Sequence, residues 1–132
     1  YTSGPCSVSQ KAAEFAYVGD QQCVEDMRQA FERRRDLIVK LAKEIPGLEV
    51  NVPEGAFYLF PKCSSFFGKS DGKTTINNST DFAMYLLDKG HVATVGGDAF
   101  GDAECFRMSY ATSDENIVEA MRRIKEVLAE LK

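Results

Sequence analysis

The sequence predicts an α+β fold, in which a small mixed or antiparallel sheet has helices packed on one face. A long segment, residues 24–45, has apolar residues at spacings of three and four, as in a helix with one buried stripe. A short segment, residues 105–110, alternates between two faces, as in a strand. The predicted order of elements is helix, helix, strand, strand, helix, strand, strand, helix, so we expect helices and sheet to share one core.

The first two elements are predicted to be helices. Ser7 or Ser9 is expected to cap a short helix that stops at Gly19. The long helix follows, and Pro46 ends it because proline cannot continue the backbone hydrogen bonds. The apolar stripe of the long helix comprises Met27, Ala30, Phe31, Leu37, Ile38, Leu41 and Ile45.

Two strands and a loop are predicted next. Residues 48–52 alternate apolar and polar side chains, and residues 56–60 form an aromatic and aliphatic run. With a turn at residues 53–55, this pattern predicts a hairpin. Residues 61–79 are rich in Lys, Ser, Gly and Asn, so we expect an exposed loop with Phe66-Phe67 held against the body.

The C-terminal half is predicted to hold two helices and two strands. Ser79 or Thr80 is expected to cap a third helix that Gly90 closes, and a short strand is expected at residues 92–95. Residues 96–101 are expected to form a turn-rich loop before the strand at residues 105–110. Thr112 and Glu115 have the spacing of a capping box for the last helix. The apolar stripe of that helix comprises Ile117, Met121, Ile124, Leu128 and Leu131.

Composition narrows the function. The formal net charge of −4 argues against a nucleic-acid binder, and the Arg33-Arg34-Arg35 run is flanked by Glu32 and Asp36, as on a solvated helix face. No apolar run is long enough to span a membrane, and no signal-peptide pattern is present. The chain starts at Tyr1 with loop-like residues, which favours a fragment of a longer protein.

The cysteines and the histidine do not suggest a metal site. There is one histidine, His91, and no CxxC pair, so we expect no metal site and free thiols in a reducing cytoplasm. His91 has no evident partner for acid-base catalysis and is expected to be structural. The cysteines are Cys6, Cys23, Cys63 and Cys105.

Arg107 is the most informative single residue. It lies inside an apolar strand on the face opposite Phe106 and Met108, and a guanidinium on a rigid strand can hold a carboxylate through two parallel hydrogen bonds. The alternative is a structural ion pair at the surface. The glycines in residues 96–101 and Gly55 would allow a ligand to approach the backbone. On spacing alone, a tight connection between two strands is the stronger explanation for the glycines in residues 96–101.

Three motifs together resemble class I and II aminotransferases that depend on pyridoxal 5′-phosphate. Residues 53–58, PEGAFY, resemble the P-x-G-A-F-Y strand, and residues 95–101, VGGDAFG, are similar to the V-P-G-x-x-F-G loop. Residues 106–113, FRMSYATS, look like the arginine-bearing strand and the helix cap after it. Their order and spacing match over the whole chain, and the predicted fold is then the small domain of a fold type I aminotransferase.

The resemblance implies roles for particular residues. It implies that Arg107 binds the α-carboxylate of the substrate, that Gly55 lies near the substrate, and that Thr2-Ser3 approach the active site of a neighbouring subunit. Gly96 stands where the family usually has proline, which implies a less rigid loop. The Schiff-base lysine and the other catalytic residues of the family would precede Tyr1, so no catalytic residue is expected here, and the cofactor-binding residues are unknown.

The resemblance also implies a domain organisation and a reaction. Residues 1–22 would be the end of the large domain or a linker, and residues 23–132 the C-terminal small domain. The parent would be a cytoplasmic homodimer that transfers an amino group between aspartate and 2-oxoglutarate, with the cofactor as electron sink. The fragment alone would be inactive and would not bind the cofactor covalently. Alternatives are an alanine or aromatic aminotransferase, a carbon–sulfur lyase, a non-catalytic amino-acid-binding or regulatory domain, and a structural dimerisation module.

Overall fold

The computed structural model describes residues 3–132 of the chain. The chain divides into two compact units, of which the first ends at Ala30 and the second is Phe31–Lys132. The assignment of residues 1–22 and 23–132 to two domains of a longer protein stays a prediction. The helices are α1, Ser7–Val18; α2, Gln22–Lys43; α3, Ser79–Gly90; and α4, Asp114–Leu128. The strands are β1, Tyr58–Leu59; β2, Val95–Gly96; and β3, Phe106–Ser109.

The sheet of the second unit is antiparallel, with β3 between β1 and β2. Tyr58 pairs with Ser109, and Val95 pairs with Arg107. Backbone hydrogen bonds continue the β1–β3 pairing beyond the strand ends, since the N–H of Phe106 donates to the carbonyl of Pro61 at 3.1 Å. The predicted α+β class with a small antiparallel sheet is therefore confirmed.

The core lies on one face of the sheet. Leu59, Phe106 and Met108 are buried on that face, and the ring of Phe82 from α3 packs 4.8 Å from the ring of Phe106. The buried residues of α4 complete the core. The helices cover this face of the sheet because it carries the apolar side chains of the strands. The predicted stripe of the last helix is confirmed in full, since Ile117, Met121, Ile124, Leu128 and Leu131 are all buried.

The first unit has little buried surface. Helix α1 forms as predicted and Gly19 ends it, but its N-cap is Cys6 and no side chain caps it. None of its residues is buried, and in α2 Met27 is 59% exposed. The predicted α2 stripe is therefore a core stripe only in the second unit, where Ile38 and Ile45 are buried.

The predicted hairpin is wrong. Residues 48–52 contribute one isolated bridge, between Glu49 and Lys62, and β1 pairs with β3 instead. Leu48 and Val50 still pack partly against the core. The alternation of residues 48–52 therefore reflects partial burial of the segment. The segment does not form a strand, because it pairs with another extended residue only at Lys62.

The predicted exposed loop at residues 61–79 is also wrong in part. Cys63, Phe66 and Ile76 are buried, and Ser64–Phe66 form a 3₁₀ turn. Phe66 is held against the body as expected. Most residues of the segment are polar and only a few are buried, which is why it looks like a free loop in the sequence.

Three smaller predictions shift by a few residues. The caps are Asn78 for α3 and Ser113 for α4, one residue before or after the predicted ones. The strand expected at residues 92–95 is β2, Val95–Gly96.

Among the helices of residues 3–132, none is long and apolar enough to cross a membrane.

Candidate functional site

Strand β3 holds Arg107 at the middle of the sheet. Its neighbours Phe106 and Met108 are 0% and 4% exposed and point into the core. Because side chains alternate along a strand, Arg107 points to the opposite face, where it is half-buried. The strands on both sides fix its backbone, so the arginine has the rigid support that the sequence predicts.

The guanidinium of Arg107 lies close to two aromatic rings. Its Cζ lies over the ring of Phe100 at 4.3 Å from the centroid and 5.8 Å from the centroid of the Tyr58 ring. Phe100 in turn packs edge-on against Phe60, with ring centroids 6.2 Å apart. A cation over the face of an aromatic ring is attracted by the ring quadrupole.

Arg107 has no carboxylate partner in the described part of the chain. Among residues 3–132, every other arginine forms an ion pair with Asp or Glu, and Arg107 forms neither an ion pair nor a side-chain hydrogen bond. The alternative interpretation, that Arg107 forms a structural ion pair, is therefore not supported by the described residues. A half-buried guanidinium with free N–H donors is suited to bind an external carboxylate. The paired arginines are Arg28, Arg33, Arg34, Arg35, Arg122 and Arg123.

The turn Gly97–Phe100 presents Phe100 to the arginine. The N–H of Gly97 donates to the carbonyl of Cys105 at 2.8 Å, which ties the turn to the end of β3. The carboxylate of Asp98 accepts hydrogen bonds from the hydroxyls of Ser79 and Thr80 at 3.2 and 3.3 Å, which tie the turn to the start of α3. The turn is therefore braced from two sides.

Gly96 keeps the conformation of the residue that usually stands there. Its φ of −58° and ψ of 143° lie in the region that proline adopts. Gly96 is buried, and a Cβ at this position would lie 2.9 Å from the side-chain oxygens of Asp98 and Thr80, so the backbone dihedrals suit proline but the surrounding space favours glycine.

Gly55 is exposed and is not in contact with Arg107. A Cβ built on Gly55 would have no atom of the described chain within 4 Å. The register places Arg107 opposite Phe60, at the other end of the segment that contains β1. The described residues thus do not bring the two predicted substrate-binding residues together, and nothing in them requires glycine at position 55.

Ala56, which the sequence does not single out, shapes the turn before β1. It takes a φ of 64°, in the left-handed region that non-glycine residues rarely adopt. The hydroxyl of Tyr110 donates to the carbonyl of Ala56 at 3.0 Å, and the N–H of Tyr110 donates to the carbonyl of Phe57 at 2.8 Å. Burial raises the pKa of Tyr110, so its hydroxyl stays a donor at neutral pH.

The structure places Cys63 and Cys105 in buried positions and His91 at the end of a helix. Burial is the main cause that raises the pKa of Cys63 to about 12 and that of Cys105 to about 11, so both thiols are protonated at neutral pH. His91 has a φ of 53° and caps the end of α3. No group of three metal-ligating side chains occurs among residues 3–132. Of the predicted contact of Thr2-Ser3 with a neighbouring subunit, Thr2 lies outside the described residues and Ser3 is exposed.

Comparisons with known proteins agree with the motifs. A family model described as aminotransferase class I and II matches residues 1–124. The bifunctional aspartate aminotransferase and glutamate/aspartate-prephenate aminotransferase of Petunia hybrida is 47% identical, over 100% of this chain and 28% of that protein. An aspartate aminotransferase of Rhizobium meliloti is 47% identical, over 93% of this chain and 30% of that protein.

A solved structure has the same fold. The crystal structure of the aspartate aminotransferase from Rhizobium meliloti matches with a TM-score of 0.92 at 44% identity, over 99% of this chain and 33% of that one. The predicted resemblance and the predicted fold family are therefore confirmed. The chain spans about a third or less of the length of these relatives.

Proposed function

Because the chain belongs to the family of class I and II aminotransferases, we propose that it is the C-terminal part of an enzyme that transfers an amino group between aspartate and 2-oxoglutarate. The names of the relatives from Petunia hybrida and Rhizobium meliloti support aspartate as the donor. The name of the Petunia protein also supports prephenate as a second acceptor. Residues 23–132 are the small domain of this enzyme, which is a cytoplasmic homodimer.

Arg107 is the observation on which the proposal depends. In the proposed reaction, its guanidinium binds the α-carboxylate of the amino acid through two parallel hydrogen bonds. A bidentate pair fixes the orientation of the substrate as well as its affinity. The support for this role is that Arg107 is half-buried, is held by the central strand and pairs with no carboxylate of residues 3–132.

The residues of this chain do not fit a covalent cofactor site. A lysine that forms a Schiff base is normally desolvated, which lowers its pKa. None of the lysines is buried, and Glu104 raises the pKa of Lys62. We therefore assign the pyridoxal 5′-phosphate of the full-length enzyme to residues that this chain does not contain, and we expect the 132-residue chain alone to be inactive.

Gly55 is proposed to lie near the substrate in the full-length enzyme. The open space around Gly55 supports this proposal. Packing within the described residues does not require glycine there, and a glycine allows another group to approach the backbone closely. A Cβ at this position would then intrude on the substrate or on the part of the protein that is absent here.

The proposal is tested on the full-length enzyme loaded with cofactor. L-Aspartate is added, and the absorbance of the cofactor is followed through the first half-reaction, with and without Arg107→Ala. We expect the variant to lose kcat/KM by roughly 100-fold or more, because charge-assisted hydrogen bonds contribute about 1.5–3 kcal/mol each. Arg107→Lys should recover only part of the loss, since an ammonium lacks the planar fork.

Arg122→Ala is the matched control. Arg122 is an exposed arginine of α4 that pairs with Glu119 and Glu126, and its removal should leave kcat/KM near the parent value. An unchanged kcat/KM in Arg107→Ala would refute the carboxylate role. A full-length protein that gives no spectral change with any amino acid would refute the aminotransferase activity itself.

A further inference from the structure

The ring of Phe100 lies directly under the guanidinium of Arg107. Phe100 is 46% exposed, so it is not part of the core of the second unit. We propose that Phe100 is a positioning residue, which holds the guanidinium of Arg107 in the orientation that receives the substrate carboxylate. This proposal rests on the proposed function of Arg107.

The geometry supports a specific contact between the two side chains. The distance from Cζ of Arg107 to the centroid of the Phe100 ring is 4.3 Å, well inside the range of about 6 Å for a cation–π pair. Tyr58, on the neighbouring strand, is the second ring near the guanidinium, but at 5.8 Å it is the weaker partner. Phe100 is therefore the ring whose removal should matter most.

Phe100 is itself held in place. The ring of Phe60 packs edge-on against it, and the turn that carries it is anchored to β3 through Gly97 and to α3 through Asp98. Gly101 follows with a φ of 89°, a conformation that lets the chain turn back after Phe100. A braced aromatic ring limits the rotamers that the long arginine side chain can adopt.

An aromatic partner suits an arginine that must bind and release carboxylates. A carboxylate partner would occupy the N–H donors and would compete with the substrate. A ring contacts the face of the guanidinium and leaves its in-plane N–H donors free. Both arrangements reduce the rotamer entropy that the arginine side chain loses on binding, but only the aromatic one keeps the N–H donors available.

The test uses the full-length enzyme loaded with cofactor and three variants. Phe100→Leu keeps an apolar side chain but removes the ring, Phe100→Tyr restores a ring, and Phe67→Leu is the control at a half-buried phenylalanine elsewhere in the chain. The measurements are KM and kcat with L-aspartate, and the Kd of succinate, an unreactive dicarboxylate, by calorimetry. Thermal unfolding verifies that each variant is folded.

We expect Phe100→Leu to raise KM and the Kd of succinate by about 2- to 30-fold, the range that corresponds to a cation–π contact. The effect on kcat should be smaller, because the contact is present before and during the reaction. Phe100→Tyr should stay close to the parent, and Phe67→Leu should leave both constants unchanged. If Phe100→Leu also leaves both unchanged, the positioning role is refuted.

A double-mutant cycle separates this proposal from the proposed function. In the Arg107→Ala background, Phe100→Leu should cause no further change in KM or in the Kd of succinate. An undiminished effect there would show that Phe100 acts independently of Arg107 and would refute the positioning role alone. If Arg107→Ala by itself changes neither constant, the carboxylate role of Arg107 fails first, and the positioning role fails with it.

Discussion

At the residue scale, Gly97 allows two backbone segments of the candidate site to pack closely. A Cβ at this position would lie 2.3 Å from the carbonyl oxygens of both Asp102 and Cys105. Backbone atoms cannot move aside as a flexible side chain can, so Gly97→Ala should destabilise the chain by about 1–3 kcal/mol, as overpacking does. Urea unfolding of the 132-residue chain measures this change.

Gly55→Ala is the matched control for that experiment. A Cβ at Gly55 would meet no atom of the described residues within 4 Å, and its φ is not in the left-handed region. Its unfolding free energy should therefore stay within about 0.5 kcal/mol of the parent. Equal stabilities for the two variants would contradict the tight packing of the turn at Gly97.

At the residue scale, the sequence predicts Arg107 but not its surroundings. A charged residue among apolar ones in a strand is visible in the pattern, because the alternation assigns it to the face opposite Phe106. Its stacking on Phe100 is not visible, since the contact depends on how the turn after β2 folds back over the sheet. The positive φ of Ala56 has no sequence signal at all, because alanine does not favour that conformation.

At the scale of elements, long periodic segments are predicted well and short ones poorly. Helix α4 has a wide apolar stripe, so one misplaced residue does not change the prediction. Residues 48–52 have an equally regular alternation, but a strand also needs a neighbour, and the neighbour of β1 is β3, some 50 positions along the chain. Pairing over that distance depends on the assembled core and not on local pattern, which is why the hairpin prediction fails.

The cap of α4 gives a prediction at the same scale. The hydroxyl of Ser113 accepts from the N–H of Asn116 at 3.3 Å, whereas the hydroxyl of Thr112 accepts only from the side chain of Asn116. Ser113→Ala should therefore cost about 0.5–2 kcal/mol, and Thr112→Ala should cost less. Urea unfolding of both variants decides which residue is the cap. A larger loss for Thr112→Ala would restore the capping box expected from the sequence.

At the scale of the whole molecule, the segment at residues 61–79 is bonded to α3 and to the last residue of the chain. The carboxylate of Asp71 accepts from the N–H groups of Lys73 and Thr74 at 2.9 and 2.7 Å, and it pairs with Lys89 of α3 at 3.1 Å. The backbone of Ser70 exchanges two hydrogen bonds of 3.0 Å with Lys132. These contacts explain why a polar segment, whose one helical turn is Ser64–Phe66, packs as part of the second unit.

Asp71 should make the stability of the chain depend on pH. The backbone N–H groups of Thr74 and Lys73, followed by Lys89, lower the pKa of Asp71 from 3.8 to about 2. Its contribution is therefore fully present above about pH 4 and is lost as the pH falls towards 2, because the unfolded state takes up the proton first. Asp71→Asn should be less stable at neutral pH and should lose less stability than the parent on acidification through this range.

Denaturant unfolding at a series of pH values between 2 and 7 measures this dependence, with Asp88→Asn as the control. Asp88 is an exposed aspartate of α3, next to the lysine that pairs with Asp71, so its variant removes the same charge from the same region. It should retain the acid dependence of the parent. If Asp71→Asn shows that same dependence, other carboxylates account for the acid sensitivity, and Asp71 does not fasten the segment to α3.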